Sequence, residues 1–339
     1  MNALTSQLPP LSDWQQDLAQ GVRCVAELLK LLQIAPDDLP ESIDHDAEFP
    51  FRVPRNYVER MASGNPHDPL LRQVLPLKIE NKLSSGFATD PVGDLPAMTR
   101  PGLIHKYKGR VLVITTGACA IHCRYCFRRH FPYAETQPRT NEWQTVIDYI
   151  ANDPSINEVI LSGGDPLMLS ERRLASLTGK LAEIGHFRRL RIHTRLPVVL
   201  PGRVDYGLLS WIDTFPLAMV MVIHANHPNE INFEVRDALN KLRGKGVSLF
   251  NQSVLLRGIN DDAATLGKLS ESLFEAGVIP YYLHVLDKAQ GTAHFEVGEE
   301  KLAHIQRELL STLPGYLVPR LVREQAGYPF KQPVMPLTL

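Results

Sequence analysis

From Arg110 onward the chain repeats one pattern, a short apolar run followed by an amphipathic stretch at helical spacing. Apolar runs at 111–114, 158–161, 190–193, 217–223, 249–255 and 281–286 alternate with amphipathic stretches at 143–150, 174–184, 235–242, 263–273 and 302–313. After a longer first unit, the runs begin about 30 residues apart, the length of a strand–crossover–strand unit. Runs that are apolar throughout need cover on both faces, so they predict parallel strands in a sheet lined by helices. Six such units predict an α/β fold, a partial (βα)6 barrel in preference to an open doubly wound sheet.

Residues 1–100 lack this rhythm. The stretch 14–32 reads as an amphipathic helix with Ser12 or Asp13 as its cap, and turn-rich segments such as Phe49-Pro50-Phe51 follow. The expected organisation is a mainly helical N-terminal layer over 1–100, the barrel over 101–315, and an irregular, Pro-rich tail over 316–339. A chain of 339 residues with 44% hydrophobic content can bury a core without staples. Its 36 basic and 37 acidic residues argue against a nucleic-acid or membrane surface. The longest apolar run, 217–223, is far short of the ~20 residues a membrane helix needs. The polar N-terminus has neither the basic nor the apolar part of a secretory signal. A cytoplasmic, reducing setting is therefore expected, where four cysteines are read as chemistry and not as disulfides.

Three of those cysteines lie in Cys119-Ala-Ile-His-Cys123-Arg-Tyr-Cys126, directly after the first predicted strand. Three thiolates within eight residues can converge on one metal centre, and the spacing is not that of a zinc ribbon or finger. Cys24 falls in the predicted N-terminal helix and is expected to be a buried structural thiol. The residues alone leave open a three-cysteine zinc site completed by His122 or His130, or three unrelated thiols. After the second strand comes Ser162-Gly163-Gly164-Asp165-Pro166. Its glycines would let backbone groups approach a ligand at the face where barrel sites gather. A tight strand-to-helix turn capped by Asp165 explains the same residues.

The cysteine triplet, with Tyr125 before its third member, resembles the signature of the radical S-adenosylmethionine (SAM) superfamily. A [4Fe–4S] cluster on three cysteines keeps one iron open for the amine and carboxylate of SAM. Further segments extend the likeness: Arg195-Leu-Pro-Val-Val-Leu-Pro-Gly-Arg203, His224-Ala-Asn-His-Pro-Asn-Glu230, Asn251 to Asp261, Tyr281-Tyr-Leu-His-Val-Leu-Asp287 and Lys331-Gln-Pro-Val-Met-Pro336. From about Asn56 to the tail the chain resembles the lysine 2,3-aminomutase family. Those enzymes use SAM, a [4Fe–4S] cluster and pyridoxal phosphate (PLP) to move an amino group from Cα to Cβ.

The resemblance implies cluster ligands at Cys119, Cys123 and Cys126, and SAM contacts at Ser162, Gly163, Gly164, Asp165 and Gln252. It makes Lys331 the catalytic lysine that holds PLP as an aldimine, with Arg110 and Lys106 at the PLP phosphate. A lysine in a dry pocket gives up its proton more readily, which suits that task. Arg128 is implied at the substrate carboxylate, where a guanidinium fork holds both oxygens, and Asp287 and Glu324 at the distal ammonium. Two acids there favour a dibasic amino acid. The sequence departs from the family pattern at three points: Lys106 replaces an arginine, Glu324 an aspartate, and Gly327-Tyr328-Pro329-Phe330 a glycine run.

No cysteine follows Cys126, so the C-terminal zinc-binding extension of the long family members is expected to be missing. Segments 68–75, 128–134 and 251–257 are most similar to the short bacterial form, which makes (R)-β-lysine for a ligase acting on translation elongation factor P. The implied partners are L-lysine, a flavodoxin- or ferredoxin-type electron donor, elongation factor P and its lysine ligase. The N-terminal layer offers a surface for a homo-oligomer. Two rival functions are a radical mutase for arginine or ornithine, and a non-catalytic, cluster-holding partner of elongation factor P.

Overall fold

The computed structural model describes residues 12–47, 51–136 and 143–334. Ten strands form one sheet: β1 (Met98–Arg100), β2 (Leu103–Tyr107), β3 (Arg110–Thr116), β4 (Glu158–Gly163), β5 (Arg189–Thr194), β6 (Ala218–Ile223), β7 (Ser248–Val254), β8 (Ile279–His284), β9 (Arg320–Arg323) and β10 (Gln332–Pro333). They are ordered in space as in sequence. From β3 to β9 every pairing is parallel, while β1, β2 and β10 add antiparallel edges. The end strands do not pair with each other, so the barrel is partial.

The helices are α1 (Asp13–Ala19), α2 (Val25–Leu32), α3 (Arg55–Val58), α4 (Tyr133–Thr136), α5 (Trp143–Ala151), α6 (Glu171–Ala182), α7 (Leu196–Val199), α8 (Tyr206–Thr214), α9 (Phe233–Gly244), α10 (Ala263–Glu275) and α11 (Glu299–Thr312). The barrel helices α5, α6, α9, α10 and α11 fall on the amphipathic stretches. In α9, Val235, Ala238, Leu239 and Leu242 are buried, a 3–4 residue spacing that lays one stripe on the sheet. Side-chain caps start α8, α9 and α10: Asp205 accepts from Leu208 N, Asn232 from Val235 N and Asp262 from Thr265 N. Along the strands, alternate residues face opposite ways. In β5, Leu190 and Ile192 sit in the core, whereas Arg191 and His193 line the lumen.

Four expectations are corrected. The six apolar runs correspond to β3–β8, but β9 is a seventh parallel strand. Its sequence, Arg-Leu-Val-Arg, has only two apolar residues and therefore no visible periodicity. The tail is accordingly not all irregular, since β9 and β10 pair within it. The helix expected over 14–32 is broken between α1 and α2, because Val22 pairs with Val53 there. A Cβ on Gly21 would stand 3.2 Å from both the Leu18 and Val53 carbonyl oxygens. Cys24 precedes α2 and is exposed, not buried, because the covered face of that helix is Leu28, Leu29 and Leu32.

The described part of the N-terminal hundred residues combines α1–α3 with 3-10 turns and loops. Its apolar side chains, among them Trp14, Leu28, Tyr57 and Leu71, belong to the same core as the strands β3–β7. Among the described residues no helix is long and apolar enough to cross a membrane. Residues 335–339, which include Met335 and Pro336 of the tail motif, lie outside the described residues.

Candidate active site

Parallel strands deliver the residues that follow their C-terminal ends to one rim, and the cysteine loop follows β3 there. Gly163 and Gly164, at the end of β4, hold that loop at backbone distance: Gly164 N donates to Thr116 O and Asp165 N to Ala118 O. A Cβ on Gly163 would come within 2.5 Å of Thr116 O, and one on Gly164 within 2.4 Å of Ala118 O. Gly163 also has φ +121°, a conformation that only glycine adopts freely. The glycines therefore fit the strand end to the cysteine loop.

All fourteen site residues expected from the sequence line a single cavity of about 510 Å³. Cys119, Cys123 and Cys126 stand at its wall as free thiols. Burial, and then the neighbouring Cys126, push the Cys119 thiol well up, and burial with Cys123 pushes Cys126 up to about 11. Two thiols raised in this way become thiolates only beside strong positive charge. Among the described residues no three His, Cys, Asp or Glu side chains converge tightly enough to share one metal ion. The three cysteines would hold an iron–sulfur cluster, whose usual ligands are cysteine thiolates.

A row of alternating charge runs along the same wall. Arg128 Nε donates to Asp94 at 2.7 Å, and its Nη1 donates to Ser162 Oγ at 3.0 Å. Lys106 joins Asp94 at 2.5 Å and Glu324 at 3.1 Å, and Glu324 pairs in turn with Lys331. Burial would raise the Asp94 pKa, but Arg128 and Lys106 outweigh it and hold the carboxyl below the usual range. Glu324 is likewise driven down, burial being overcome by Lys331 and Lys106. Asp287 lacks such partners: burial, then the charge of Glu324, raise it to about 7, and its Oδ1 is buried without a hydrogen bond.

Several expected roles change against this geometry. Lys106 donates to Asp94, Glu324 and the Val92 carbonyl, which uses all three ammonium protons and leaves none for a phosphate. It is a bridge between carboxylates. Arg110 makes no ion pair among the described residues; its guanidinium lies 4.6 Å over the Tyr107 ring, so it is available to a phosphate. The Asp165 carboxylate accepts from Leu167 N, Thr194 Oγ1, Arg195 N and Leu196 N, which fills both oxygens. Its side chain anchors the turn and has no capacity for SAM. Lys331 is not a lone amine in a dry pocket but the partner of Glu324.

The cavity also contains residues to which no role was assigned from sequence. His193, His224 and His284 are held neutral, each chiefly by burial, His224 falling to about 3. The Gln252 amide nitrogen lies 2.9 Å from His224 Nε2, so that nitrogen accepts. The Nε2 atoms of His193 and His284 are buried without partners. The strand alternation beside Arg191 was the available signal for His193. Asp94 had none, lying in a polar turn without periodicity.

The Radical SAM superfamily matches residues 113–267. The L-lysine 2,3-aminomutase of Escherichia coli (strain K12) is 49% identical over 332 residues, which cover 98% of this chain and 97% of that one. The chain belongs to the lysine 2,3-aminomutase family. The corresponding enzymes of Haemophilus influenzae and Buchnera aphidicola are 46% and 44% identical, with coverage of 94% and 93% of each chain. As a family member the chain is an isomerase whose cofactors are a [4Fe–4S] cluster, SAM and PLP.

The residues present fit those groups. The three thiols suit iron, and Arg110 and Lys331 offer PLP a phosphate partner and an amine. His193 Nε2, His284 Nε2 and Asp287 Oδ1 are three buried polar atoms on the cavity wall without partners. A buried atom left so costs about 1–3 kcal/mol until something supplies the missing bond.

Proposed function

We propose that the chain converts L-lysine to (R)-β-lysine, which is supplied for modification of translation elongation factor P. The observation that carries the lysine reading is the buried row Arg128–Asp94–Lys106–Glu324–Lys331, with Asp287 beside Glu324. Lysine brings a carboxylate at one end and an ammonium at the other. Arg128 meets the carboxylate, its guanidinium oriented by Asp94 and Ser162. Asp287 and Glu324 meet the distal ammonium. With Lys331 given over to PLP, Glu324 would have one cationic partner fewer and could accept the ammonium of the substrate.

Bound together, the cofactors supply one-electron chemistry at SAM and the cluster, and an electron sink at PLP that lets an amino group migrate. The chain supplies orientation and dryness. Cys119, Cys123 and Cys126 would hold the cluster, Lys331 and Arg110 would hold PLP, and Gln252 fixes the His224 tautomer. Three neutral histidines add hydrogen bonds without charge, so recognition of charge is left to Arg128 and the two acids. Ile104, Val111, Ile160 and Val199 help to line the cavity and exclude water.

The link to elongation factor P and its ligase, the cytoplasmic setting and a flavodoxin- or ferredoxin-type donor rest on the resemblance of segments 68–75, 128–134 and 251–257 to the short family form. The test is an anaerobic reaction of cluster-reconstituted protein with PLP, SAM, reductant and L-lysine, followed by chiral chromatography. The expected product is (R)-β-lysine, formed only with SAM and PLP. No product from protein verified to hold iron and PLP, alongside turnover of arginine or ornithine, overturns the lysine reading. Borohydride treatment should fix PLP to the Lys331 peptide, and Lys331→Ala should abolish that label.

A further inference from the structure

We propose that Arg195 is a positioning residue for the iron–sulfur cluster, giving Cys123 a charged hydrogen bond that raises the cluster's reduction potential. The inference rests on Cys119, Cys123 and Cys126 holding that cluster. Arg195 directly follows β5 and so emerges at the rim that carries the cysteine loop. Its Nη1 lies 2.7 Å from Cys123 Sγ. Its Nη2 donates to Gln73 Oε1 and Glu230 Oε2, both at 2.8 Å, and to Tyr57 Oη at 3.1 Å. The Tyr57 and Tyr125 rings flank the guanidinium at 5.4 and 5.6 Å.

The counter-charge is as firmly held. Glu230 is fully buried, and its Oε1 accepts from Asn226 N, His227 N and Gln73 Nε2. A buried guanidinium needs a carboxylate partner, and Glu230 fills that need through Nη2. Glu230 does not account for Nη1, which points at sulfur. The Arg195 backbone N donates to Asp165, the residue that anchors the β4 turn against the cysteine loop, so side chain and loop are indexed to one another.

The consequence is electrostatic. Reduction adds one electron from the external donor to the cluster, with no proton moved and no bond exchanged, and the added negative charge is spread partly onto the thiolates. A permanently protonated donor at one thiolate therefore favours the reduced state. Hydrogen bonds to cluster sulfurs and buried charge are the means by which a protein sets this potential. Glu230 offsets part of the field, but it meets the guanidinium through Nη2, whereas Cys123 meets Nη1.

The experiment is an anaerobic redox titration of the cluster-reconstituted full chain without SAM, followed by the electron paramagnetic resonance signal of the reduced cluster. Arg195→Gln should lower the reduced-to-oxidised ratio at a given potential about tenfold, equal to about 59 mV for a one-electron couple. Arg195→Lys, which keeps the charge, should recover most of that shift. Iron and sulfide contents are measured in each protein, so a lost cluster is not read as a shifted one. An unchanged midpoint in a fully loaded Arg195→Gln protein overturns the proposal. Should that variant not retain iron, the unmutated protein decides. Labelled with arginine carrying ¹⁵N only in the guanidinium, its reduced cluster should show a ¹⁵N coupling in pulsed resonance, and absence of coupling overturns the proposal. Failure of the unmutated chain to take up a cluster would instead overturn the cluster assignment on which the inference rests.

Discussion

Replacing Asp94 with Asn removes one charge from the middle of a buried row of five, and should cost about 3 kcal/mol of folding stability. The wild-type side chain is 3% exposed and receives two charge-assisted bonds, 2.5 Å from Lys106 and 2.7 Å from Arg128. Breaking a buried pair by deleting one partner costs roughly 3–5 kcal/mol, because the other charge is left uncompensated. The lower end applies here, since Lys106 keeps Glu324 and the Val92 carbonyl, and Arg128 keeps Ser162. With a urea slope of about 3 kcal/mol/M, the unfolding midpoint should fall by about 1 M at unchanged slope. Adding Lys106→Met should cost less than the sum of the two single changes, because the pair is in direct contact. The sign with pH is also set. The Asp94 pKa is depressed in the fold, so its contribution is present above about 4 and is lost as pH falls. The gap between wild type and variant should therefore close below about pH 4. In turnover, a loosened Arg128 should raise the KM for lysine more than it lowers kcat. An unchanged midpoint, or strict additivity with Lys106→Met, would refute the charge-row argument.

Asp287 behaves oppositely: its pKa is raised to about 7, so between about 4 and 7 the unfolded chain ionises first and stability declines. Binding an ammonium needs its ionised form, so kcat/KM for lysine should rise with pH through about 7, and Asp287→Asn should lose that limb. Gly164→Ala would place a Cβ 2.4 Å from Ala118 O, which backbone cannot yield cheaply, so iron bound per chain should fall sharply. Gly179→Ala is the control: within α6 nothing lies within 4 Å, and stability should rise by about 0.5–1 kcal/mol in the same denaturation assay. Cys24→Ser should leave iron content and turnover unchanged, because that thiol is exposed ahead of α2; a loss of iron would contradict its placement.

The fold was legible wherever one element carried its own signal. The runs that became β3–β8 are apolar because both faces of a parallel sheet are covered, and the helices between them have one covered stripe. β9 was illegible because a four-residue strand with arginine at both ends carries no period. Cys24 and the break between α1 and α2 were misread for a related reason: helical spacing extends past a point where pairing with a distant strand segment, at Val53, ends the helix.

The candidate site divides in the same way. The cysteine triplet, the paired glycines and the lysine of the tail are short motifs, so their residue types and spacings stand in the chain itself. Which charges meet is not a local property. Lys106 and Glu324 are 218 residues apart, and Arg195 and Cys123 are 72 apart; they become neighbours only through the barrel's register. Hence sequence alone determined that three thiols share one loop after a strand and that the chain has the residues of a radical isomerase. Only the tertiary structure decided that Lys106 bridges two carboxylates, that Asp165 is spent on its own turn, and that Arg195 points at sulfur. The physical reason is that a motif is encoded by neighbours along the chain, whereas the partner of a buried charge is whichever group the packed strands bring within about 3 Å.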